Sequence, residues 1–256
     1  MKIRKLFNIY FVLRTLRLRL FPRYRPTETR LLSKRIRLVD AASFLSAYEE
    51  IFGNESYKFP CGNKEPHIID CGANIGLSII YFKRLYPESK IIAFEPDPKV
   101  FEALNHNINT FEFKDVALIQ KGVWNTETTL PFFSEGADAG RITAVNDSQN
   151  IIKIQTTRLR DYLDRRVDLL KIDIEGAETV VLEDCRDNLK NVQNIFVEYH
   201  SFKGQQQTLH TILDILAKAD FRYYIRQIRT DITHPFIARD VGSGMDLQLN
   251  IYAFRL

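Results

Sequence analysis

Three carboxylates follow one another in the second half of the chain, at the end of an apolar run. Within residues 168–178 the run ends at Asp173, and Glu175 and Glu178 come shortly after it. Carboxylates this close together repel one another unless a cation, a hydroxyl-rich ligand or a shared proton lowers the energetic cost. The segment therefore predicts a ligand site that includes Asp173. Glu178 is better explained as a favourable negative charge at the start of the next helix.

A second segment places glycines between an apolar strand and a helix. It consists of Asp70, Cys71, Gly72, Ala73, Asn74, Ile75 and Gly76. A ligand can approach the backbone where side chains are absent, and the helix start that follows offers free amides and a partial positive charge. The spacing is Gly-x-x-x-Gly, with Asn74 in place of the middle glycine of a dinucleotide-binding turn. Because Asp70 suits a ligand that carries an amino group, the segment favours the methionine end of S-adenosylmethionine.

Two further positions would complete a nucleoside site. Glu95 ends the next predicted strand, about 20 residues beyond the glycine segment, where a carboxylate can accept hydrogen bonds from both ribose hydroxyls. Nicotinamide enzymes share this feature, so Glu95 does not by itself select the cofactor. Gly122, Val123 and Trp124 follow another predicted strand. They could lie against adenine, or they could equally be a turn and a core residue.

A last pair of polar residues, Glu198 and His200, comes at the end of the apolar run 195–197. Alternation along a strand puts both side chains on one face, at the same edge of a parallel sheet as Asp173. A histidine there could take the proton from an attacking hydroxyl. The alternative is a histidine with a purely structural role.

The apolar runs that position these residues alternate with helical runs. Short apolar runs between helices indicate a parallel sheet covered on both faces, which binds ligands at the carboxyl ends of its strands. The predicted strands are residues 68–69, 91–94, 116–120, 169–172, 195–197, 222–227 and 247–254. The predicted helices are residues 77–86, residues 98–109 with Asp97 as N-cap, and residues 207–219.

One stretch departs from this alternation. Residues 128–133 and 151–156 are β-branched and aromatic, and the loop between them contains Gly136 and Gly140. We predict an antiparallel insertion over about residues 128–156. Loops of this kind often determine substrate specificity. We therefore expect the choice of substrate to depend on the insertion.

The first 66 residues are basic and follow a different pattern. The apolar run 6–13 is too short to span a bilayer, and no small-residue cleavage site of a secretory signal follows it. Residues 16–20 alternate like a strand, and residues 41–52 predict a short amphipathic helix.

We therefore predict a partly helical N-terminal extension, residues 1–66, ahead of a domain at residues 67–256 that folds without it. The extension would lie on a membrane surface, form a homodimer, or pack its apolar stripe on the protein's own core. That stripe consists of Ile3, Leu6, Tyr10, Leu13 and Leu20. A nucleic-acid-binding arm is a weaker explanation of the positive charge, and no nucleic-acid partner is expected.

The composition is that of a globular protein, with 45% hydrophobic and 27% charged residues and a net charge of +4. Cys61, Cys71 and Cys185 are widely separated and include no Cys-x-x-Cys pair. They argue against a disulfide framework and against a structural zinc site. A cytoplasmic location is expected, peripheral at the inner face of the membrane if the extension binds lipid.

Residues 70–76 and 171–178 together resemble the FkbM-family methyltransferases, whose marks are Asp-x-Gly-Ala-Asn-x-Gly and Lys-Ile-Asp-x-Glu-Gly-Ala-Glu. The resemblance extends from about residue 67 to the end of the chain. It implies an α/β, Rossmann-like, seven-stranded sheet that is mostly parallel with an antiparallel last strand. It also implies S-adenosylmethionine as cofactor and methyl transfer to oxygen, often on a sugar, glycan or natural product. One departure is Arg160, where the family usually has an aspartate in a Leu-Asp-Asp segment.

The leading hypothesis is therefore an S-adenosylmethionine-dependent O-methyltransferase with a hydroxyl-bearing small molecule or glycan as acceptor. Asp173 would contact the cofactor near the transferring methyl group, and Glu198 and His200 would position the acceptor, with His200 as the base. No metal site is predicted, although a divalent cation held by Asp173 and Glu198 is a lesser possibility. A non-catalytic adenosyl-binding or membrane-associated module is a second hypothesis. A nicotinamide-dependent oxidoreductase is a third, which the glycine spacing disfavours.

Overall fold

The chain alternates strands and helices over most of its length. The computed structural model describes residues 16–137, 140–142, 150–228, 234, 236–237 and 244–256. The strands are β1 (Thr27–Leu31), β2 (Lys34–Leu38), β3 (His67–Cys71), β4 (Lys90–Phe94), β5 (Val116–Ile119), β6 (Gly122–Trp124), β7 (Thr129–Phe133), β8 (Arg141–Ile142), β9 (Ile151–Arg158), β10 (Leu169–Ile172), β11 (Asn194–Phe202), β12 (Arg222–Gln227) and β13 (Met245–Phe254). The helices are α1 (Ala41–Tyr48), α2 (Leu77–Leu85), α3 (Pro98–Phe111), α4 (Glu178–Cys185) and α5 (Leu209–Lys218). A π-helical turn, Glu49–Gly53, continues α1, and 3-10 turns cover Leu159–Tyr162 and Arg186–Asn191.

Seven strands form one sheet in the order β12-β13-β11-β10-β3-β4-β5. Strand β13 is antiparallel to its neighbours β11 and β12, and the other pairs of neighbouring strands are parallel. This confirms the predicted seven-stranded, mostly parallel sheet with an antiparallel last strand. Ile172 lies opposite both Cys71 and Val197. The residues that follow these three positions therefore meet at one edge of the sheet.

Alternate residues of the central strands contribute to two apolar cores, one on each face of the sheet. Ile68 packs in a core that includes Ile79 of α2, whereas Ile69 packs in a second core that includes Leu182 of α4. Consecutive strand residues point to opposite faces, so a strand covered on both sides has few positions for polar residues. Asp70 and Lys171 occupy two such positions, and they pair with each other.

Helices α2 and α3 begin where the sequence predicts. The side chain of Asp97 accepts hydrogen bonds from the backbone amides of Lys99 and Val100, and Pro98 is the first residue of α3. Aspartate at the N-cap and proline at the first position are typical of helix starts. Helix α2 ends one residue earlier than predicted, and α3 ends two residues later.

The insertion forms a second, four-stranded sheet in the order β6-β9-β7-β8. Strands β7 and β9 pair antiparallel, and β6 runs parallel to β9. Gly122 and Trp124 therefore lie in a strand of this second sheet. Residues 138–139 and 143–149, in the loop between β7 and β9, are outside the described residues.

The described part of the N-terminal extension, residues 16–66, contains a hairpin as well as helical segments. Strands β1 and β2 form an antiparallel hairpin whose turn residues, Leu32 and Ser33, have positive φ angles of 46° and 69°. Two-residue hairpin turns of this kind favour glycine or asparagine. Because neither residue is present, the sequence gives no hairpin signal. Residues 16–19 alternate like a strand in the sequence but are helical in the structure.

The described part of the extension shares a core with the main sheet. Ile36 and Phe44 are buried in the same cluster as Ile68. The buried side chain of Asn107, in α3, accepts a hydrogen bond from the Arg37 amide at 2.7 Å and donates one to the Arg37 carbonyl at 2.9 Å. The boundary drawn at residues 66–67 therefore does not separate two cores.

The apolar stripe predicted for the N-terminus lies mostly outside the described residues, since Ile3, Leu6, Tyr10 and Leu13 precede residue 16. Its last member, Leu20, is 84% exposed. No helix within the described part of the chain is long and apolar enough to cross a membrane.

Candidate active site

A cavity of about 280 Å³ opens at the carboxyl-end edge of the sheet. Three groups of residues form its walls. The glycine-turn wall consists of Gly72, Ala73, Asn74, Ile75, Glu95, Gly122 and Val123. The acid wall consists of Asp173, Glu175, Glu198 and Gln248, and the cap wall of Ser43, Ala47, Glu50, Ile51 and Tyr57. The insertion adds Phe132, Ile142 and Ile154. The volume is near the lower end of the ~300–1,000 Å³ typical of small-molecule sites.

Both glycines of the turn are required by the protein's own packing. Gly72 has a φ of +86°, and a Cβ atom there would lie 1.8 Å from the carbonyl oxygen of Asp173. Gly76 has a φ of +91°, and a Cβ atom there would lie 2.8 Å from Leu104 Cδ1. Gly72 lines the cavity, whereas Gly76 does not. The glycine at position 76 therefore allows α2 to pack on α3, and its contact with the ligand stays a prediction.

The amides of the turn are mostly satisfied within the protein. Those of Gly72 and Ala73 donate to the Phe94 carbonyl at 3.0 and 2.9 Å, and that of Asn74 donates to Glu95 Oε2 at 3.0 Å. The first amides of an α-helix lack intrahelical partners. The start of α2, at Leu77 and Ser78, lines the cavity and is the better source of free amides.

Glu95 is a buried carboxylate held by backbone amides. Its Oε1 atom accepts from the Asp97 amide at 2.9 Å, and its Oε2 atom accepts from the Asn74 amide. Burial raises the pKa of Glu95 to about 7, although these hydrogen bonds act in the opposite direction. The structure thus brings Glu95 onto the same wall as the turn, as the sequence predicts.

Asp70 is fully buried and does not line the cavity. Its Oδ2 atom accepts a hydrogen bond from Ser78 Oγ at 2.5 Å, and its Oδ1 atom lies 3.2 Å from Lys171 Nζ. The contact between Asp70 and a ligand amino group stays a prediction. Asp70 is a buried partner of a lysine, one layer behind the cavity.

Lys171 links the two strand ends. Its ammonium group lies 3.2 Å from Asp173 Oδ2, donates to the Gly72 carbonyl at 2.9 Å, and lies 5.7 Å from the centre of the Tyr57 ring. Burial alone would lower the pKa of Lys171, but Asp70 and Asp173 raise it above its usual value. A permanent cation therefore holds Asp173 in place at the cavity.

Glu175 and Glu178 have different surroundings. Glu178 is buried and accepts hydrogen bonds from the amides of Ile174 and Gly176, which supports the structural role expected for it. Glu175 lines the cavity. Its backbone is in the left-handed conformation, with a φ of 55°. Burial raises the pKa of Glu175 to about 8, and repulsion from neighbouring carboxylates, of which Asp173 has the largest effect, acts in the same direction. His200 acts in the opposite direction.

His200 lies behind the acid wall and does not line the cavity. Its Nδ1 atom is 3.0 Å from Glu178 Oε1, and its Nε2 atom is 3.5 Å from Glu198 and 3.7 Å from Glu175. Burial alone would lower the pKa of His200, but Glu175 and Glu178 raise it well above its usual value. An imidazolium has no lone pair to accept a proton, so this setting does not fit the base role predicted for His200.

Glu198 reaches the cavity, as expected from its position at the end of the strand. Gln248 Nε2 donates to Glu198 Oε1 at 2.6 Å. Burial and the charge of Asp173 raise the pKa of Glu198, while His200 and Gln248 act in the opposite direction. The structure thus brings Asp173, Glu198 and His200 together but presents only the two carboxylates to the cavity.

Glu50, Tyr57 and Lys171 are not predicted as site residues from the sequence. Glu50 and Tyr57 belong to the extension and carry no recognisable motif. Lys171 did carry a signal, because a lysine inside an apolar strand is almost never buried without a partner. The parallel register places it directly opposite Asp70.

Trp124, a further predicted cofactor contact, lies in β6 of the second sheet. It is half-buried, pairs with Arg158 across the second sheet, and does not line the cavity. Gly122 and Val123 do line it. A Cβ atom on Gly122 would lie 2.8 Å from Ile154 Cδ1, so the glycine here also serves packing.

Within the described residues, one group of side chains is close enough to share a metal ion. It consists of Asp173, Glu175 and His200, whose ligand atoms lie within 4.8 Å of one another. A histidine must be neutral to bind a metal, whereas the surrounding carboxylates favour protonated His200. The group therefore fits an ion-paired cluster better than a metal site. It does not include Glu198, which the sequence suggested as a metal ligand together with Asp173.

Two more sequence features lie away from the cavity. Arg160, the departure from the family pattern, is in a 3-10 turn with its guanidinium 4.0 Å from Asp184. Cys61, Cys71 and Cys185 are all free thiols.

Comparison with known proteins identifies a family. Residues 70–223 match the family described as the methyltransferase FkbM domain. The chain is 29% identical over 204 residues to methyltransferase sdnD of Sordaria araneosa, with 65% of this chain and 79% of the relative covered. It is 25% identical over 176 residues to the 2-O-methyltransferase NoeI of Sinorhizobium fredii, with 59% and 71% covered.

The fold is also similar to a solved structure, that of methyltransferase FkbM from Methylobacillus flagellatus KT, with a TM-score of 0.52 and 17% identity. The likeness covers 80% of this chain and 48% of the other, so the chain spans about half the length of that protein. The family match includes the glycine turn and the strand ends that carry Asp173 and Glu198. From this match over more than half of its residues, the chain belongs to the FkbM methyltransferase family and is a methyltransferase.

Proposed function

We propose that this methyltransferase uses S-adenosylmethionine and methylates a hydroxyl oxygen of a sugar, glycan or natural-product acceptor. The observation that carries the proposal is the meeting of the glycine-turn wall and the acid wall around one cavity. Group transfer needs two bound molecules held next to each other, and the two walls offer different chemistry for the two.

The glycine-turn wall suits the methyl donor. Glu95 can accept hydrogen bonds from ribose hydroxyls, and Phe94 and Val123 offer apolar surface to adenine. The start of α2 would bind the carboxylate of the methionine end. S-Adenosylmethionine would supply an electrophilic methyl group.

Asp173 is proposed to lie near the transferring methyl group, because it follows β10 at the centre of the sheet edge and lines the cavity. A carboxylate attracts a positively charged sulfonium, and Lys171 fixes the carboxylate in place. Holding the acceptor oxygen in line with the methyl group can supply a large part of the rate.

The acid wall is proposed to bind the acceptor. Glu198 and Glu175 can exchange hydrogen bonds with hydroxyl groups, and a cluster of acidic side chains disfavours phosphates and carboxylates. The relative NoeI is named a 2-O-methyltransferase, which supports oxygen as the target here. Apolar residues of the insertion, such as Phe132 and Ile142, would then contact the rest of the acceptor.

His200 is proposed to be a positioning residue instead of a base. Its imidazolium lies between Glu178, Glu175 and Glu198, so it sets the orientation of two cavity carboxylates. Replacing it is therefore expected to weaken the binding of the acceptor more than the binding of S-adenosylhomocysteine.

The proposal is tested by radiolabelled methyl transfer to separate fractions of neutral glycans, amino sugars, uronic acids, lipids and small metabolites. We expect label in a neutral or amine-bearing hydroxyl compound, in an ether linkage. Binding of S-adenosylhomocysteine without transfer to any fraction would favour the non-catalytic adenosyl-binding module. No binding at all would contradict the donor assignment.

A second proposal concerns the surface around the hairpin, where we infer peripheral contact with an anionic membrane. Leu16 and Leu20 are exposed. Arg17, which lies between them in the sequence, lines a groove together with Arg30 and Arg35. Basic and apolar side chains together favour an anionic lipid surface. Salt-sensitive sedimentation with phosphatidylglycerol vesicles, lost in Leu20→Ser, would support it. A homodimer by light scattering without vesicle binding, or binding to duplex RNA instead, would contradict it.

A further inference from the structure

Glu50 lies on the cap wall, in the π-helical turn that continues α1. Its neighbour Glu49 is exposed, whereas Glu50 is partly buried and lines the cavity. π-Helical turns are rare and frequently occur at functional sites. The extension thus contributes one of two adjacent glutamates to a cavity that Asp173, Glu175 and Glu198 also line.

Asn250, in β13, fixes Glu50 in the cavity wall. Asn250 Nδ2 donates to Glu50 Oε1 at 2.9 Å, and Asn250 lies directly opposite Glu198 in the sheet register. The other polar atom of this buried amide, Oδ1, has no hydrogen-bond partner among the described residues. A buried acceptor without a donor costs about 1–3 kcal/mol. A proton on Glu50 would supply the missing donor, since a carboxylic acid can both accept from and donate to one amide group.

Three other carboxylates at the cavity, those of Asp173, Glu95 and Glu198, have strong partners, and Glu175 lies 3.7 Å from the imidazolium Nε2 atom of His200. Asp173 is paired with Lys171, and Glu95 is held by two backbone amides. Glu198 accepts from Gln248 and lies near the imidazolium of His200. Glu50 has a single neutral amide as its hydrogen-bond donor among the described residues. Of these carboxylates it is the one freest to take a proton.

We propose that Glu50 is the general base that accepts the proton of the acceptor hydroxyl. The inference rests on the proposed function and adds to it the residue that receives the proton. As the acceptor oxygen forms its bond to the methyl carbon, the carbon–sulfur bond breaks and its electron pair goes to sulfur. The hydroxyl proton goes to a Glu50 carboxylate oxygen and leaves to solvent when the products depart.

The charges around Glu50 suit this role. Burial, repulsion from Glu198 and a smaller effect of Asp173 together raise the pKa of Glu50 to about 7, while Asn250 and Lys171 act in the opposite direction. Tyr57, the remaining titratable neighbour on the cap wall, has a pKa raised by burial and is neutral. A base is most effective when its pKa is close to the working pH.

The first test needs no acceptor. Infrared spectra of the full chain are recorded from about pH 5 to about pH 9, and carboxyl bands are compared between wild type, Glu50→Gln and Glu49→Gln. We expect one carboxyl that titrates near neutral pH to be absent from Glu50→Gln and present in Glu49→Gln. Glu49→Gln is the matched control, because it removes the adjacent, exposed carboxylate. Identical titration in all three proteins would contradict the proposal.

The second test uses the hydroxyl compound labelled in the methyl-transfer screen. Glu50→Gln is expected to lower kcat at least about 100-fold and to remove the rise of rate with pH, because an amide cannot accept the proton. Its dissociation constant for S-adenosylhomocysteine is expected to stay within about twofold of wild type, which shows that the protein is folded. Gln can still accept the hydrogen bond from Asn250, so a purely structural role would leave the rate and its pH profile unchanged.

The outcomes separate the two proposals. If wild type transfers no label, the proposed function fails and the infrared titration alone decides whether Glu50 takes a proton near neutral pH. If wild type transfers label and Glu50→Gln does so equally well, the function stands and the base assignment is wrong. If Glu175→Gln, and not Glu50→Gln, loses the rise of rate with pH, the base is Glu175.

Discussion

The glycine-turn wall and the acid wall are built in different ways. The glycine-turn wall comes from residues 72–123, and its main contacts use the backbone, as between the Asn74 amide and Glu95. The acid wall and the adjoining cap wall depend on side chains from distant parts of the chain, from Glu50 to Gln248. One wall is encoded locally, and the other is assembled by the fold.

The FkbM match covers the glycine-turn wall, and it includes Asp173, Glu175 and Glu198 of the acid wall as well. It leaves out Glu50 and Gln248. We propose that the donor is bound by contacts that tolerate little change, and that the acceptor is bound by side chains that can vary without disturbing the donor.

Removal of residues 1–65 has the largest expected effect, because it removes the cap wall together with part of the core. Ile36 and Phe44 are buried in the core, and the Tyr57 ring packs edge-on against Phe196 with 4.8 Å between ring centres. We expect the shortened chain to lose its cooperative thermal transition, with the full chain as control. A shortened chain that melts cooperatively and binds S-adenosylhomocysteine would show that residues 67–256 fold alone, as the sequence predicts.

Gly72→Ala acts on the glycine-turn wall. Its Cβ atom would lie 1.8 Å from a backbone oxygen, and its φ of +86° is unfavourable for alanine. We expect a loss of more than about 4 kcal/mol in the free energy of unfolding, measured by urea denaturation. Gly204→Ala is the matched control, because Gly204 has a φ of +80° with no atom within 4 Å of the added Cβ. Equal losses in the two variants would mean that backbone strain, and not the approach to Asp173, explains the glycine.

Lys171→Met acts on the contact between the two walls. It leaves Asp70 fully buried without its cation and frees Asp173. Breaking a buried ion pair costs about 3–5 kcal/mol. We expect the melting temperature to fall accordingly, while Lys153→Met, at an exposed position of β9, leaves it unchanged. A variant as stable as wild type would show that the pairing of Asp70 with Lys171 is unimportant for stability.

His200→Gln has the smallest expected effect and acts behind the acid wall. The pKa of folded His200 is raised above its unfolded value near 6.5, so its stabilisation is complete below that pH and is lost as the pH rises through the folded pKa. We expect the variant to lose about 1–2 kcal/mol near pH 6 and less at high pH. Urea denaturation over a pH series measures this, with exposed His210→Gln as control. A deficit that grows with pH would show that His200 is neutral in the folded protein.

The locally encoded wall was also the more predictable one. The glycine spacing and Asp97 before Pro98 gave the turn and the start of α3 correctly, because caps and turns follow short-range chemistry. The same reasoning says less where packing decides. The sequence predicts Gly76 and Trp124 as ligand contacts, and the structure gives both of them contacts within the protein itself.

The assembled wall depends on contacts that no local pattern contains. The hairpin was missed because Leu32 and Ser33 adopt positive φ angles without glycine or asparagine. Without it, nothing in the sequence indicates that Glu50 lies beside Asn250, 200 positions along the chain. The role of His200 could not be predicted either, since its charge depends on three carboxylates around it.

We infer that the cavity has separate donor and acceptor sides. Calorimetric titration with S-adenosylhomocysteine tests this division of the cavity. Wild type, Glu95→Gln and Glu50→Gln are compared under identical conditions. We predict that wild type binds, that Glu95→Gln weakens binding about 10-fold or more because a ribose contact is lost, and that Glu50→Gln changes it less than about twofold. Equal weakening in both variants, or no binding by wild type, would contradict the claim.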